Sequence, residues 1–429
     1  MKTILKNVTL LPETGYGEGK WHVTVENKRI ASITRNLPDT TGAEVVDAKG
    51  NLLMPGFYNA HTHAAMTLFR GYGEDLPLQR WLEERIFPAE DRLNYENVTV
   101  ATRLAIAEML KGGIVSFSDM YMFQDAVAEV VIETGMKANL SRALVSFSPD
   151  ANIATDTRFL EAKALVENYQ NAADERVKVD FSLHAEYTNV PHYIAQVGEY
   201  TAANNLRMHL HVSETEKEHN ECITRNGKTP TKLFYDLGAL NTPTLSAHCV
   251  WVNDEDIAIM AEKGVSAVHN PISNLKLGSG VMPLGKLLAA GVNVCFGTDG
   301  VASNNRLDIL REMQTAAILH KGILLDPTAT TASQMPKLAT RNGALAQGRQ
   351  DCGEISIGSR ADLILIDRNS VHNMPCFDDY AMLCYSAERS DVLMTMVDGR
   401  ILYQNGTYTL IDEERLRYDA QKVFAHYFD

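Results

Sequence analysis

The chain of 429 residues is 45% hydrophobic and 22% charged and carries a formal net charge of −14. That length exceeds what one ordinary core fills, so a large domain with a smaller companion is expected. The acidic balance excludes nucleic-acid binding through phosphate-neutralising basic patches, and no run approaches the roughly 20 apolar residues that span a bilayer.

The opening Met1-Lys2-Thr3-Ile4-Leu5-Lys6-Asn7-Val8 lacks the apolar stretch of a signal peptide, so a cytoplasmic setting is expected. Up to about residue 50, polar and apolar residues alternate, with turn signals at Pro12-Glu13-Thr14-Gly15 and Asn27-Lys28. This predicts short antiparallel strands. From Leu52 onward, apolar strands ending in polar residues alternate with helical stretches. The strand candidates are 52–61, 113–121, 138–147, 177–186, 207–213, 244–250, 264–269 and 292–298. Between them, Val100, Leu104, Ala107 and Leu110 share one helical face, which Gly112-Gly113 terminates. Asn253 is the expected N-cap of a later helix with acids in its first turn.

Eight strands interleaved with helices predict an α/β chain folded as a (β/α)8 TIM barrel. A doubly wound open sheet fits the alternation but not the candidate ligands at the ends of strands 1, 4, 5, 6 and 8. A barrel gathers those ends on one rim. After residue 345 strand character returns in Gly353-Glu354-Ile355-Ser356-Ile357-Gly358, in Ala361-Asp362-Leu363-Ile364-Leu365-Ile366-Asp367 and from Val392 to Tyr403. The expected organisation is a barrel over 55–345 flanked by one small β-sandwich. That sandwich is formed by 1–54 and by 346–429, the latter with a terminal helix. Six scattered cysteines without a CxxC pair read as free thiols and are assigned no metal.

The chemistry is carried by short segments that end strands. His61 and His63 are two apart, so a strand points both to one face. A second pair, His209 and His211, ends strand 5; His211 is nearer the end and three residues before Glu214, and is chosen as the ligand, with His209 a buried layer residue. Asp299 closes Val294-Cys295-Phe296-Gly297-Thr298. His61, His63, His211 and Asp299 together make the nitrogen and oxygen set that suits Zn²⁺, with Fe²⁺ as the close rival. Glu214 is suited to move a proton between water and substrate. His248, ending strand 6, can stabilise developing charge, and Asp299 can also accept a hydrogen bond from the attacking water. His184, ending strand 4, is a candidate substrate contact. The only lysine of strand 4, Lys178, lies at the wrong end to bridge a second metal. One ion per subunit is therefore expected, which favours deamination over amide-ring hydrolysis.

The segment Pro55-Gly56-Phe57-Tyr58-Asn59-Ala60-His61-Thr62-His63 resembles the opening of the amidohydrolase superfamily. Met66-Thr67-Leu68-Phe69-Arg70-Gly71, Trp81 and Phe87-Pro88-Ala89-Glu90-Asp91 narrow the resemblance. So do His269-Asn270-Pro271-Ile272-Ser273-Asn274-Leu275-Lys276-Leu277-Gly278 and Gly297-Thr298-Asp299-Gly300-Val301-Ala302-Ser303-Asn304-Asn305. Together they are similar to the 5-methylthioadenosine/S-adenosylhomocysteine deaminase family, nearly end to end. The resemblance implies the same ligands, with Glu214 as proton shuttle, His248 assisting attack and His184 touching substrate. It further implies that Glu90 accepts hydrogen bonds from ribose hydroxyls, that Trp81 forms an aromatic wall, and that Arg142 holds an amino-acid tail. Arg158 lies in the region of a second such arginine, beside a loop from Ser146 to Thr157 that departs from the family pattern.

The expected function is metal-dependent hydrolytic deamination of an adenine nucleoside: adenosine, 5′-methylthioadenosine or S-adenosylhomocysteine. The alternative is an aminohydrolase or chlorohydrolase acting on a guanine, pterin or triazine ring, which lacks a diol for Glu90. A non-catalytic scaffold on the same barrel is disfavoured by the intact set of ligands and proton shuttle. The expected partner is the small-molecule nucleoside, with no nucleic acid and no membrane, and the expected assembly is a homo-oligomer.

Overall fold

In the computed structural model, which describes residues 2–428, eight parallel strands follow one another around a barrel. They are Phe57–Thr62, Ile114–Tyr121, Lys137–Leu144, Phe181–Leu183, Met208–Val212, Thr244–His248, Ser266–His269 and Asn293–Phe296, hereafter barrel strands 1 to 8. A short piece, Val177–Val179, precedes the fourth and pairs with the third. The strands are covered on both faces, and every residue of strands 1 and 2 is buried, the polar Asn59, Ser116, Ser118 and Asp119 among them. The helices between them start and stop where local chemistry dictates. Asn94 and Asn97 form a reciprocal cap on Tyr95–Lys111, and Asn253 and Asp256 do the same on Asp254–Lys263.

Several expected strands change in detail: 138–147 stops at Leu144, and 177–186 is two pieces, Val177–Val179 and Phe181–Leu183. The strand expected over 52–61 is two strands, Leu52–Pro55 and Phe57–Thr62, parted at Gly56. The Gly56 N–H donates to Asp362 O at 2.9 Å, and a Cβ at this position would lie 2.2 Å from the Val115 side chain. Only glycine lets the chain leave one sheet for the other there. The strand expected over 244–250 stops at His248, because His248 and Cys249 both adopt left-handed backbone (φ 73° and 48°).

Among the described residues no ladder joins strands 8 and 1; side chains close the seam instead. The Asn59 amide donates to Thr298 Oγ1 at 2.8 Å and its oxygen accepts from Thr298 N at 3.0 Å. Asp299 N then donates to His61 O at 3.0 Å, which draws the two ligand-bearing strand ends together.

The two ends of the chain meet beside the barrel, as expected, in a mixed sheet of nine strands. Its two halves are joined through Lys2–Leu10. This strand pairs with Trp21–Glu26 and Glu44–Asp47 in its first part and, past an irregularity between Leu5 and Val8, with Leu52–Pro55. Leu363–Ile366, Val392–Val397 and Arg400–Gln404 extend the sheet from there. Its own apolar core includes Leu5, Val23, Leu53, Leu363 and Met394. A buried polar knot ties it to the barrel. Lys137 Nζ lies 2.5 Å from Asp362 and 2.6 Å from Asp398, and Tyr58 Oη donates to Asp362 at 2.9 Å. The terminal helix Glu413–His426 turns back onto the barrel, where Tyr427 Oη donates to Ala89 O at 2.7 Å.

Candidate active site

The carboxyl ends of the strands bring the expected ligands together. The ring nitrogens of His61, His63 and His211 lie within 4.8 Å of one another, and His61, His248 and Asp299 form an overlapping group of the same size. Each imidazole is oriented by its other nitrogen. His63 Nδ1–H donates to Met120 O at 2.6 Å, and His211 Nδ1–H donates to His184 O at 2.7 Å. His61 Nδ1 lies 2.9 Å from Nε2 of His209, so the expected layer residue is the partner that fixes the ligand's ring. Such bonds set the tautomer that leaves Nε2 with a lone pair.

Asp299 faces these rings, with Oδ1 at 3.4 Å from His61 Nε2 and 3.2 Å from His63 Nε2. Ser273 Oγ and Ser303 Oγ donate to its Oδ2 at 2.6 and 3.0 Å, and Gly300 N donates to Oδ1 at 2.8 Å. Burial pushes His61 down to about 3 and His211 well below the usual range, which keeps both neutral, as ligands must be. At His63 burial works the same way but Asp299 outweighs it, raising the ring to about 9. The carboxylate thus calls for a positive charge beside it.

A divalent cation fits this set. His61 Nε2 is buried and has no hydrogen-bond partner among the described residues, and three imidazoles with one carboxylate are the donors such an ion takes.

The rim holds stored strain. Ser213, His248 and Asp299 are non-glycine residues with φ of 49°, 73° and 60°. Each conformation costs about 1–3 kcal/mol and persists only where the surroundings enforce it. Beyond His211, the Glu214 carboxyl is buried, which raises its pKa. It lies 3.8 Å from His248 Nε2. His248 Nδ1 lies 2.8 Å from Asn274 Oδ1 and 3.4 Å from Asn270 Nδ2, which aims Nε2 inward.

These groups floor a cavity of about 340 Å³ that also reaches Glu90, Trp81, Arg142, Arg158 and His184, a volume suited to a small organic ligand. Trp81 closes a short helical turn, Leu78–Trp81, that widens into a π-helix over Leu82–Ile86. Pro88 has no N–H to continue the α pattern, and such widened turns recur at functional sites. Glu90 accepts a hydrogen bond from Tyr121 Oη at 2.6 Å, and burial lifts its carboxyl to about 7. His184 Nδ1 lies 3.2 Å from Thr188 Oγ1. Arg142 Nε donates to Glu161 at 2.7 Å, and Arg158 donates to Val145 O at 3.4 Å.

Sequence reasoning missed Tyr121, Asn274, Ser273 and Ser303. The last three sit inside the stretches 269–278 and 297–305, which stand out in the sequence without any role attached to a single serine or asparagine.

Fold and site define a (β/α)8 barrel whose rim carries a divalent-metal donor set next to a buried carboxyl. Residues 52–402 match the model of the amidohydrolase family. The chain is 43% identical over 426 residues to a 5′-deoxyadenosine deaminase of Methanosarcina mazei, covering 98% of this chain and 97% of that one. It is 42% identical over 420 residues to a 5-methylthioadenosine/S-adenosylhomocysteine deaminase of Moorella thermoacetica, covering 97% of each. Among solved structures, an adenosine deaminase from Xanthomonas campestris with bound zinc superposes with a TM-score of 0.92 at 32% identity, over 99% of this chain and 98% of that one. The chain belongs to the amidohydrolase family.

Proposed function

We propose that this protein hydrolyses the exocyclic C6–N bond of an adenine nucleoside carrying a small 5′ group, giving the inosine analogue and ammonia. One observation carries the reading: Glu90, a carboxylate suited to a ribose diol, shares a single cavity with His63, His211 and Asp299 of the donor set, with Glu214 and with His248. The deaminases among its relatives support it.

His61, His63, His211 and Asp299 would hold one Zn²⁺ per chain. When bound, the ion lowers the pKa of a water to about 7 and so supplies a nucleophile at neutral pH. Glu214 takes a proton from the attacking water and delivers it to N1 of the ring, which makes C6 electrophilic. Oxygen adds to C6 while His248 Nε2 holds it by a hydrogen bond and Asp299 accepts one from it. The proton of the added hydroxyl then passes to the amine, the C6–N bond breaks, and ammonia leaves with C6 as a carbonyl. Glu90 anchors the ribose, and Trp81 with Leu78 and Leu82 walls the cavity. Arg142 reaches the 5′ end already paired with Glu161, which favours an uncharged 5′ group over a carboxylate tail. Arg158 and His184 complete the substrate contacts. The six unpaired cysteines support work in a reducing, cytoplasmic setting.

Ammonia release from Zn²⁺-loaded protein with 5′-deoxyadenosine, 5′-methylthioadenosine, S-adenosylhomocysteine and adenosine tests the reading, with guanine and a chlorotriazine alongside. Turnover of a nucleoside is expected. Turnover of guanine or the triazine alone would discard the nucleoside pocket.

A further inference from the structure

His211 and Glu214 are three residues apart, and the turn between them must reverse the chain without letting either side chain wander. Ser213 accomplishes the reversal in left-handed backbone (φ 49°), a conformation that a residue with a Cβ does not hold unaided. The next helix, Glu216–Asn226, begins at Thr215, whose side chain accepts from Glu218 N at 3.1 Å. Thr215-Glu216-Lys217-Glu218 thus has the spacing of a reciprocal helix cap, in which the glutamate would reach back to the threonine's own N–H.

The Glu218 carboxylate goes further back instead. Its Oε1 accepts from Ser213 N at 3.0 Å and its Oε2 accepts from Glu214 N at 2.7 Å. Two successive N–H groups converge on one carboxylate, the concave arrangement in which backbone binds an anion. Glu218 is itself buried, and Ser213 Oγ lies 3.1 Å from His219 Nδ1, so the turn is held from two sides.

We infer that Glu218 is the positioning residue for proton transfer: its carboxylate clamps the Ser213–Glu214 backbone and thereby fixes the Glu214 carboxyl over the reacting ring. The inference rests on the deaminase reading above. Both oxygens of the side chain accept, so the clamp needs two acceptor atoms on one group. In Glu218→Gln the amide nitrogen faces one of the two N–H groups, and that end of the clamp opens. Placement errors of about 1 Å at a reacting group cost on the order of 100-fold in rate. The ligands are untouched, since His61, His63 and His211 take their orientation from His209, Met120 and His184.

The test compares Glu218→Gln, Glu218→Asp and Thr215→Ala in Zn²⁺-loaded protein, with kcat, KM, metal content and melting temperature measured for each. The expected result for Glu218→Gln is a fall in kcat of about 10- to 100-fold with KM and metal content within about twofold. Glu218→Asp keeps both acceptor oxygens but retracts them, so a lower kcat at unchanged KM is expected there too; it decides the question if the glutamine variant does not fold. Thr215→Ala loses the helix cap and some stability but keeps kcat. A wild-type kcat in folded Glu218→Asp or Glu218→Gln overturns the inference. An equal loss of kcat in Thr215→Ala also overturns it, because helix order alone would then suffice. Absence of nucleoside turnover by the unsubstituted protein instead overturns the proposed function.

Discussion

Replacing Glu90 by alanine separates a nucleoside pocket from one built for another heterocycle. Tyr121 Oη already donates to Glu90 Oε1, so a ribose diol has Oε2 and the remaining lone pairs to engage. One or two hydrogen bonds to a charged acceptor, at about 1.5–3 kcal/mol each, are at stake. The expected loss in kcat/KM for 5′-deoxyadenosine is about 2–4 kcal/mol, or roughly 30- to 1,000-fold. The decisive assay is a cycle with a 2′,3′-dideoxy nucleoside as second substrate. Removing the diol should cost the native enzyme about as much as removing the carboxylate, and should cost the Glu90→Ala enzyme almost nothing. The effect should also depend on pH. Burial raises the Glu90 carboxyl to about 7, so its charge is present above that value and lost below it. The preference for diol over dideoxy substrate should therefore decline as pH falls from about 8 to 6. Equal losses for both substrates on Glu90→Ala would refute the assignment and leave Glu90 a structural partner of Tyr121.

Four further outcomes are expected. Glu214→Gln should keep its metal, because none of the ring-orienting bonds involves Glu214, while kcat drops about 100- to 10,000-fold; an unchanged rate would remove Glu214 from proton transfer. Stripping the protein with a strong chelator should abolish turnover and lower the melting temperature, and added Zn²⁺ should restore both; full activity in metal-free protein would be incompatible with the donor set described. Glu161→Ala releases Arg142, so kcat/KM for S-adenosylhomocysteine relative to 5′-deoxyadenosine should rise severalfold; a fall in that ratio would mean that Glu161 instead holds Arg142 in place for the tail. Lys137→Met takes the cation from the buried carboxylate of Asp362 between barrel and terminal sheet, while Asp398 keeps Arg360 Nη1 at 3.2 Å. A loss of about 3–5 kcal/mol is expected by denaturant titration, and an undiminished stability would show the knot to be dispensable.

Much of this molecule is written in local patterns. Largely apolar strands ending in polar residues, alternating with capped helices, predict the barrel, because parallel strands joined by helices are covered on both faces. The HxH pair at 61 and 63 shows itself through strand periodicity alone, and a strand-terminal aspartate or histidine stands out against an apolar background. Asn253 is legible as a cap because capping is decided within four residues.

Other features depended on residues far apart in the chain. Splitting 52–61 at Gly56 required Val115 and Asp362 to arrive there, and nothing between 50 and 60 records them. The choice between His209 and His211 is ambiguous by spacing, since both face one way; the 2.9 Å contact with His61 Nδ1 gives His209 its supporting place. Ser273 and Ser303 acquire meaning only when two short helices, Pro271–Lys276 and Val301–Asn304, deliver both hydroxyls to one oxygen of Asp299. Glu90 reads as a helix-surface charge until the segment around it folds over the barrel mouth and Tyr121 meets it. Sequence by itself determined which residues could ligate, carry protons and build strands, because those are properties of side chains and short periods. Tertiary structure alone decided which of them converge, because convergence is set by strand ends brought to one rim from across the chain.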